Sequence, residues 1–276
     1  LAKQDDSRRG FKYTYKAARF EEWWLLDSLG DFYEHKWIAD VLRRVKGGKE
    51  ASVYQCRSGV EVDTPLVAAK VYRPRSLRNL KNDQQYRVGR TDLDADGNAV
   101  IKESDLHAMA KRTTYGEELR HQSWISYEYV TMEKLFEAGA DIPRPYAMAS
   151  NAILMEFIGR KDIAPQLKNV LPDDPQKFFD KVIDNMAKLY HAGLVHGDLS
   201  EFNILIEDDE PVFIDFSQST TTESANAHEL LERDVKNVCR FFGRHLKVDK
   251  DAALQKILNY QPTRNSPRQK ARRTSP

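Results

Sequence analysis

Two short stretches late in the chain constrain its fold and chemistry more than anything else in it. Residues 194–205 read LVHGDLSEFNIL, and VFIDFSQS follows at 212–219. His196-Gly197-Asp198 is followed by four residues and then Asn203, and Asp215 closes an apolar run. Apolar segments flank the acidic turn Asp208-Asp209-Glu210, so the pattern predicts a loop leading into a hairpin, with strands near 202–207 and 211–215. Such a loop lets one carboxylate face an acceptor hydroxyl while an amide oxygen and a second carboxylate converge on a metal. Phosphoryl transfer needs that set: a carboxylate to orient the hydroxyl and take its proton late, and hard oxygen ligands to hold Mg2+ against phosphates. Asp198 is the candidate base, and Asn203 and Asp215 are the candidate metal ligands. Either stretch alone would be read equally well as turn-forming Asp and Asn residues. Both in this order, bounded by apolar strands, point to the chemistry.

Upstream, PLVAAKVY at 65–72 is apolar except for Lys70, as expected of a strand covered on both faces. A lysine there is costly unless its ammonium meets anions, and nucleotide phosphates with a helix glutamate would supply them. The alternative is a side chain snorkelling from an edge strand. Glu128, among apolar neighbours in SYEYV, is the best partner for Lys70, with Glu133 and Glu137 as alternatives. The loop KGGKEASV at 46–53 lacks the GxxxxGK[ST] pattern, and only Gly48 and Val53 fall in register with GxGxxGxV. Its backbone N–H groups could cradle phosphates, with Lys49 adding charge, but taken alone it is an ordinary hairpin turn.

The 276 residues suffice for one large domain or two small lobes, and a hydrophobic fraction of 41% excludes general disorder. With 43 basic and 42 acidic residues, the net charge of +1 gives no global pull toward nucleic acid or membrane. The two cysteines, Cys56 and Cys239, have no metal-like spacing and read as free thiols in a reducing compartment. Neither a membrane-length apolar run nor a signal-peptide core is present, so the expectation is a cytoplasmic protein without membrane partners. Residues 1–19 form a basic, partly disordered arm, and 261–276 a disordered basic tail. Between them, 20–260 is expected to be one catalytic domain. Its predicted elements are helical packing from Phe20 to about Leu42, strands at Ala51–Cys56 and Pro65–Tyr72, and a charged insertion over 73–121 with a short helix near 104–112. A helix over 122–138 stopped by Gly139 comes next, then Pro143 and Pro145 as punctuation before a strand at Ala152–Phe157. Helices near 175–191, 228–245 and 250–259 complete the set.

KEASVY (49–54), VAAKVY (67–72), WISYEY (124–129), MEFIG (155–159), LVHGDLSEFNIL, IDFSQS (214–219) and LERDVKNVCRFF (231–242) together resemble the RIO family of atypical serine protein kinases, most of all its type-one branch. The resemblance implies an α+β, two-lobed, protein-kinase-like fold, with a small β-rich N-lobe over about 20–156 and a mostly helical C-lobe over about 159–260. It implies a reduced form without the usual activation loop, APE motif or peptide-binding subdomains. The cofactors it implies are ATP and Mg2+, with Mn2+ as a substitute. Gly48, Lys49, Glu50 and Val53 would lie at the phosphates with Lys70 and Glu128, while the backbones of Glu156 and Ile158 would meet adenine. Asp234 would anchor the catalytic loop from a core helix. By the same resemblance the chain would be an autophosphorylating serine/threonine kinase or ATPase in small ribosomal subunit assembly. Asp215 would then also be a phosphoacceptor. Its partners would be a protein serine (its own included) and the pre-ribosomal small subunit or its RNA, met through the basic arm and tail. Gly197 departs from the alanine usual in that branch. Two other functions fit parts of the pattern: an aminoglycoside-type small-molecule phosphotransferase, which shares HGDxxxxN, and a slow-turnover ATP-binding switch.

Asp92–Glu103, DLDADGNAVIKE, also matches the D-x-D-x-D-G-x5-E spacing of a calcium loop. Ala99 at its eighth position and the poor helix before it favour a plain Asp-Gly turn in a solvated insertion.

Overall fold

The computed structural model describes residues 10–73 and 90–261. The start of the basic arm (1–9), residues 74–89 of the charged insertion and the tail from 262 onward lie outside the described residues. The chain divides into two units. Within the described residues the first comprises 10–73, 92–129 and 145–157, and the second 90–91, 130–144 and 158–261.

The first unit is built on a five-stranded antiparallel sheet of β1 (Ile38–Gly47), β2 (Ala51–Ser58), β3 (Leu66–Tyr72), β4 (Pro145–Ala149) and β5 (Ala152–Glu156), in the order β1-β2-β3-β5-β4. Helix α1 (Arg19–Glu34) lays Leu25, Leu29 and Phe32 against Val41, Tyr54, Val67, Ala69 and Leu154, all buried. Residues 11–18 join this core without forming a helix or strand. Phe11 is buried and stacks on Tyr33 with centroids 4.5 Å apart. The backbone N–H and hydroxyl of Thr14 donate to the Asp40 carboxylate at 2.7 and 2.8 Å, and Tyr15 N–H donates to Val41 O at 3.0 Å. Helices α2 (Glu103–Lys111) and α3 (Thr114–Glu137) follow, and α3 runs on into residues of the second unit.

Two expectations fail here. The helical pattern from Phe20 to Leu42 ends at Glu34, and Ile38–Leu42 opens β1 instead. Trp37, Ile38, Val41 and Leu42 imitate a helical period because β1 shifts register against β2 between Ile38 and Asp40 and again between Val41 and Arg43. Such bulges break the two-residue alternation that marks a strand. Strand β4 was read as punctuation. Pro145 is tolerated there because β4 ends the sheet, where a missing N–H breaks no ladder on the open side.

The charged loop folds as an Asp-Gly turn: Asp94 Oδ1 accepts from Asp96 N and Asn98 N, both at 2.9 Å, and Gly97 has φ +80°. Among the described residues no three His, Cys, Asp or Glu side chains gather to hold a metal ion, this loop included.

The second unit is mostly helical, with α4 (Pro175–His191), α5 (Ala227–Phe242) and α6 (Lys250–Leu258). Asp174 caps α4 by accepting from Lys177 N, and Pro175 occupies the first turn, where its missing N–H costs nothing. Phe178, Phe179, Val182 and Ile183 of α4 are buried, and Phe242 of α5 packs edge-on against Phe179 at 5.3 Å. Two antiparallel strand pairs complete it: β6 (Leu194–Val195) with β9 (Thr220–Thr221), and the hairpin of β7 (Ile204–Glu207) with β8 (Glu210–Phe213). The turn of that hairpin has both central residues at positive φ, Asp208 at 50° and Asp209 at 59°, which matches the twist of the strands it joins. Among the described residues no helix is long and apolar enough to cross a membrane.

Candidate active site

Lys70 lies in the middle strand of the sheet, paired with Val53 of β2 on one side and Ile153 of β5 on the other. It is 9% exposed, which rules out snorkelling from an edge. Its Nζ meets Glu128 Oε1 at 2.6 Å, and Glu128 is itself buried on α3. Glu133 and Glu137, the alternatives, are both exposed. The second oxygen of Glu128 accepts from the Tyr72 hydroxyl, also at 2.6 Å. Tyr72 was not singled out as a site residue, although its position two residues from Lys70 puts it on the same strand face. Trp124, one helical turn before Glu128, sits edge-on to the Tyr72 ring at 5.0 Å. Tyr72→Phe should leave Glu128 Oε2 short of a donor and lower stability by about 1.5–3 kcal/mol, the value of a hydrogen bond to a charged group. Urea unfolding of the purified variant measures this.

The loop Gly48–Glu50 joins β1 to β2 as a short hairpin turn, and Gly48 N–H is committed to Ala51 O at 2.9 Å. Lys49 is exposed, and Glu50 O accepts from Arg73 N at 2.8 Å. Glu156 ends β5 opposite Val67, while Ile158 is buried and its carbonyl accepts from Ala164 N at 2.9 Å.

In the second unit the loop after β6 is fixed from α5. Asp234, buried, accepts from Gly197 N at 2.8 Å and Leu199 N at 2.9 Å, one bond to each oxygen. Arg233 donates to Gly197 O, and Asn237 Nδ2 donates to Leu199 O at 3.2 Å. Asn203 then folds the loop back on itself: its Nδ2 donates to Asp198 O at 2.9 Å and lies 3.4 Å from Asp198 Oδ2. His196 Nδ1 accepts from Asp198 N at 3.3 Å, which leaves Nε2 protonated to donate to Ile214 O at 3.1 Å. Gly197 has φ +79°, and a Cβ there would sit 2.5 Å from Gln218 O. Both facts account for glycine where the resemblance leads one to expect alanine.

Asp215 itself adopts φ +70°, a left-handed conformation that costs an aspartate energy and persists where the surroundings fix it. Its Oδ1 accepts from Ser217 Oγ at 3.0 Å. Asp198 reaches solvent, yet partial burial and then the charge of Asp215 push its carboxyl pKa up, opposed by Arg233 and the Asn203 bond. Burial also pushes Asp234 up to about 7, against the pull of the Gly197 and Leu199 amides and the Arg233 charge. A raised carboxyl pKa means that the folded state holds a proton the unfolded chain releases near pH 4. The contribution of Asp234 to stability is therefore greatest below that pH and declines until about pH 7. The wild type should thus lose stability relative to Asp234→Asn between pH 4 and 7, a change read by thermal unfolding of both proteins across that range.

The donor set suits Mg2+. Asp215 would offer a carboxylate, and Asn203, whose Nδ2 is committed to Asp198, would offer an amide oxygen. No cage of three acidic, His or Cys ligands is assembled among the described residues. Mg2+ asks for none, since it commonly takes one or two carboxylates together with phosphate oxygens and water.

A unit with a central-strand lysine neutralised by a helix glutamate, and a second unit whose Asp-Asn loop hangs from a helix aspartate, define a protein-kinase-like fold of the α+β class. Solved structures share it. The crystal structure of the Rio2 kinase from Chaetomium thermophilum superimposes with a TM-score of 0.56 at 22% identity, covering 83% of this chain and 66% of that one. The Rio2 kinase-ADP/Mg2+-phosphoaspartate complex from the same organism gives 0.57 at 20% identity, covering 94% and 75%. The model of the RIO domain matches residues 52–254. The RIO-type serine/threonine-protein kinase Rio1 of Methanocaldococcus jannaschii is 36% identical over 216 residues, 78% of this chain and 66% of that protein. Rio1 of Haloferax volcanii is 36% identical over 201 residues, 72% and 62%. The chain belongs to the RIO family, on its Rio1 branch, and spans just under two thirds of the length of these relatives.

Proposed function

We propose that this chain is an ATP- and Mg2+-dependent serine/threonine phosphotransferase that phosphorylates itself and works in the cytoplasm on small ribosomal subunit assembly. The observation that carries it is the Asp234-anchored loop, which holds Asp198 and Asn203 together, with a second carboxylate, Asp215, two residues after the β7–β8 hairpin. Asp198 orients the acceptor hydroxyl and accepts its proton, and Lys70, held by Glu128, meets the phosphates of ATP. Asn203 Oδ1 and Asp215 would hold Mg2+, or Mn2+ in its place, which would supply charge neutralisation at the phosphates. Gly48, Lys49, Glu50 and Val53 line the phosphates, and the backbones of Glu156 and Ile158 meet adenine. Membership of the family favours this function over an aminoglycoside phosphotransferase. The ribosomal role rests on the family resemblance and on the basic residues of arm and tail.

A second reading has its own support. The Rio2 complex with ADP, Mg2+ and phosphoaspartate favours an ATPase switch, and in this chain Asp215 would take the phosphoryl group. Incubation with γ-labelled ATP and Mg2+ separates the two. Acid-stable label that disappears in Asp198→Ala supports the serine kinase. Hydroxylamine-labile label absent from Asp215→Asn supports the aspartyl-phosphate switch. Neither label nor phosphate release, with ATP still bound, would overturn both.

A further inference from the structure

The turn that follows Asp215 is held by more than its own hydrogen bonds. Within it, Ser219 N donates to Phe216 O at 3.0 Å, and the Phe216 ring is buried 5.1 Å from the His196 ring. From outside it, Arg90 Nη2 donates to Ser217 O at 3.1 Å and to Ser219 O at 2.6 Å, spanning the carbonyls on either side of Gln218. The next carbonyl, Gln218 O, is the atom that a Cβ at Gly197 would strike. One guanidinium thus fixes the turn that carries Asp215 at one end and passes close to Gly197 of the Asp198 loop at its middle. Ser217, which Arg90 holds by its carbonyl, donates its hydroxyl to Asp215 Oδ1. A left-handed aspartate needs surroundings that over-determine it, and charge-assisted bonds from arginine to two carbonyls supply such a constraint.

We propose that Arg90 is a positioning residue for metal binding: by clamping Ser217 and Ser219 it holds Asp215 in its ligating conformation. The end of the charged insertion then sets the Mg2+ affinity of the site. The inference rests on Asp215 being a metal ligand.

The test uses the full chain with Arg90→Ala, Arg90→Lys and, as control, Asp215→Asn. In the metal-free protein, hydrogen–deuterium exchange over residues 214–221 should accelerate in Arg90→Ala while exchange in β1–β3 stays as in the wild type. Mn2+ affinity in the presence of ADP, read by electron paramagnetic resonance, should fall by about 10–100-fold, as for loss of an outer-sphere partner. Arg90→Lys should fall between, since lysine offers charge without a planar fork. Should Arg90→Ala fail to fold, the lysine variant carries the comparison. Wild-type Mn2+ affinity in the Arg90 variants, with Asp215→Asn impaired, would overturn the clamp alone. Wild-type affinity in Asp215→Asn would remove the metal role of Asp215 and the clamp with it.

Discussion

Asp198→Ala is expected to slow phosphoryl transfer by about 10²–10⁴-fold, the range for a positioned general base, with little change in affinity for ADP and Mg2+. The separation of chemistry from fold follows from where the loop is anchored. Its backbone hangs from Asp234 through Gly197 and Leu199, and Asn203 Nδ2 keeps its 2.9 Å bond to the carbonyl of residue 198 whatever side chain stands there. Only the 3.4 Å contact to Asp198 Oδ2 is lost. Losing Asp198 leaves Asn203 and Asp215, the proposed ligands, in place, so metal affinity should not collapse with turnover. Single-turnover measurement with labelled ATP, alongside calorimetric titration with ADP and Mg2+, reads the two quantities apart. Wild-type transfer in the variant would remove Asp198 from the base role.

Glu128→Ala is expected to cost about 3–5 kcal/mol of stability, the penalty for removing one member of a buried ion pair. Lys70 is 9% exposed in the central strand, and this substitution takes away the carboxylate that neutralises it and accepts from Tyr72. The informative partner is the double variant Lys70→Met with Glu128→Leu. Apolar replacement of both members of a buried pair is often neutral or stabilising, so the double variant should recover most of the loss. It should nevertheless transfer no phosphate. Recovered stability without activity would show that the pair is kept for its charge and not for the fold. Restored activity in the double variant would contradict a phosphate-binding role for Lys70. Chemical denaturation with a labelling assay on the same preparations supplies both readings.

Much of this was legible in the sequence because the chemistry constrains it locally. VAAKV announces a covered strand with a lysine that must find an anion, and the order Asp198, Asn203, Asp215 between apolar runs announces the second half. The pairing of Lys70 with Glu128 was readable because Glu128, unlike Glu133 and Glu137, sits among apolar neighbours. What escaped was set by contacts remote in sequence. Tyr72 looks like ordinary strand filling until α3 brings Glu128 over it. Arg90, in a highly charged stretch, carries no periodic signal and acquires meaning only from the carbonyls of Ser217 and Ser219. The opening of β1 was misread because bulges erased its alternation, and β4 because a proline at a sheet edge resembles a break.

The segment from 10 to 18 has a consequence beyond packing. Among the described residues, strand β1 is one margin of the sheet, with β2 as its strand neighbour. A margin of unpaired N–H and C=O groups is a template on which a second molecule can add its own strand. Here Thr14 takes up the carboxylate of Asp40 and Tyr15 caps the carbonyl of Val41, while Phe11 is drawn under the same side by Tyr33. The bulges that hid β1 from pattern reading twist that margin further out of register with any incoming strand. A stretch that looks like a solvated lead-in therefore covers part of an edge on which strand addition would otherwise be easiest.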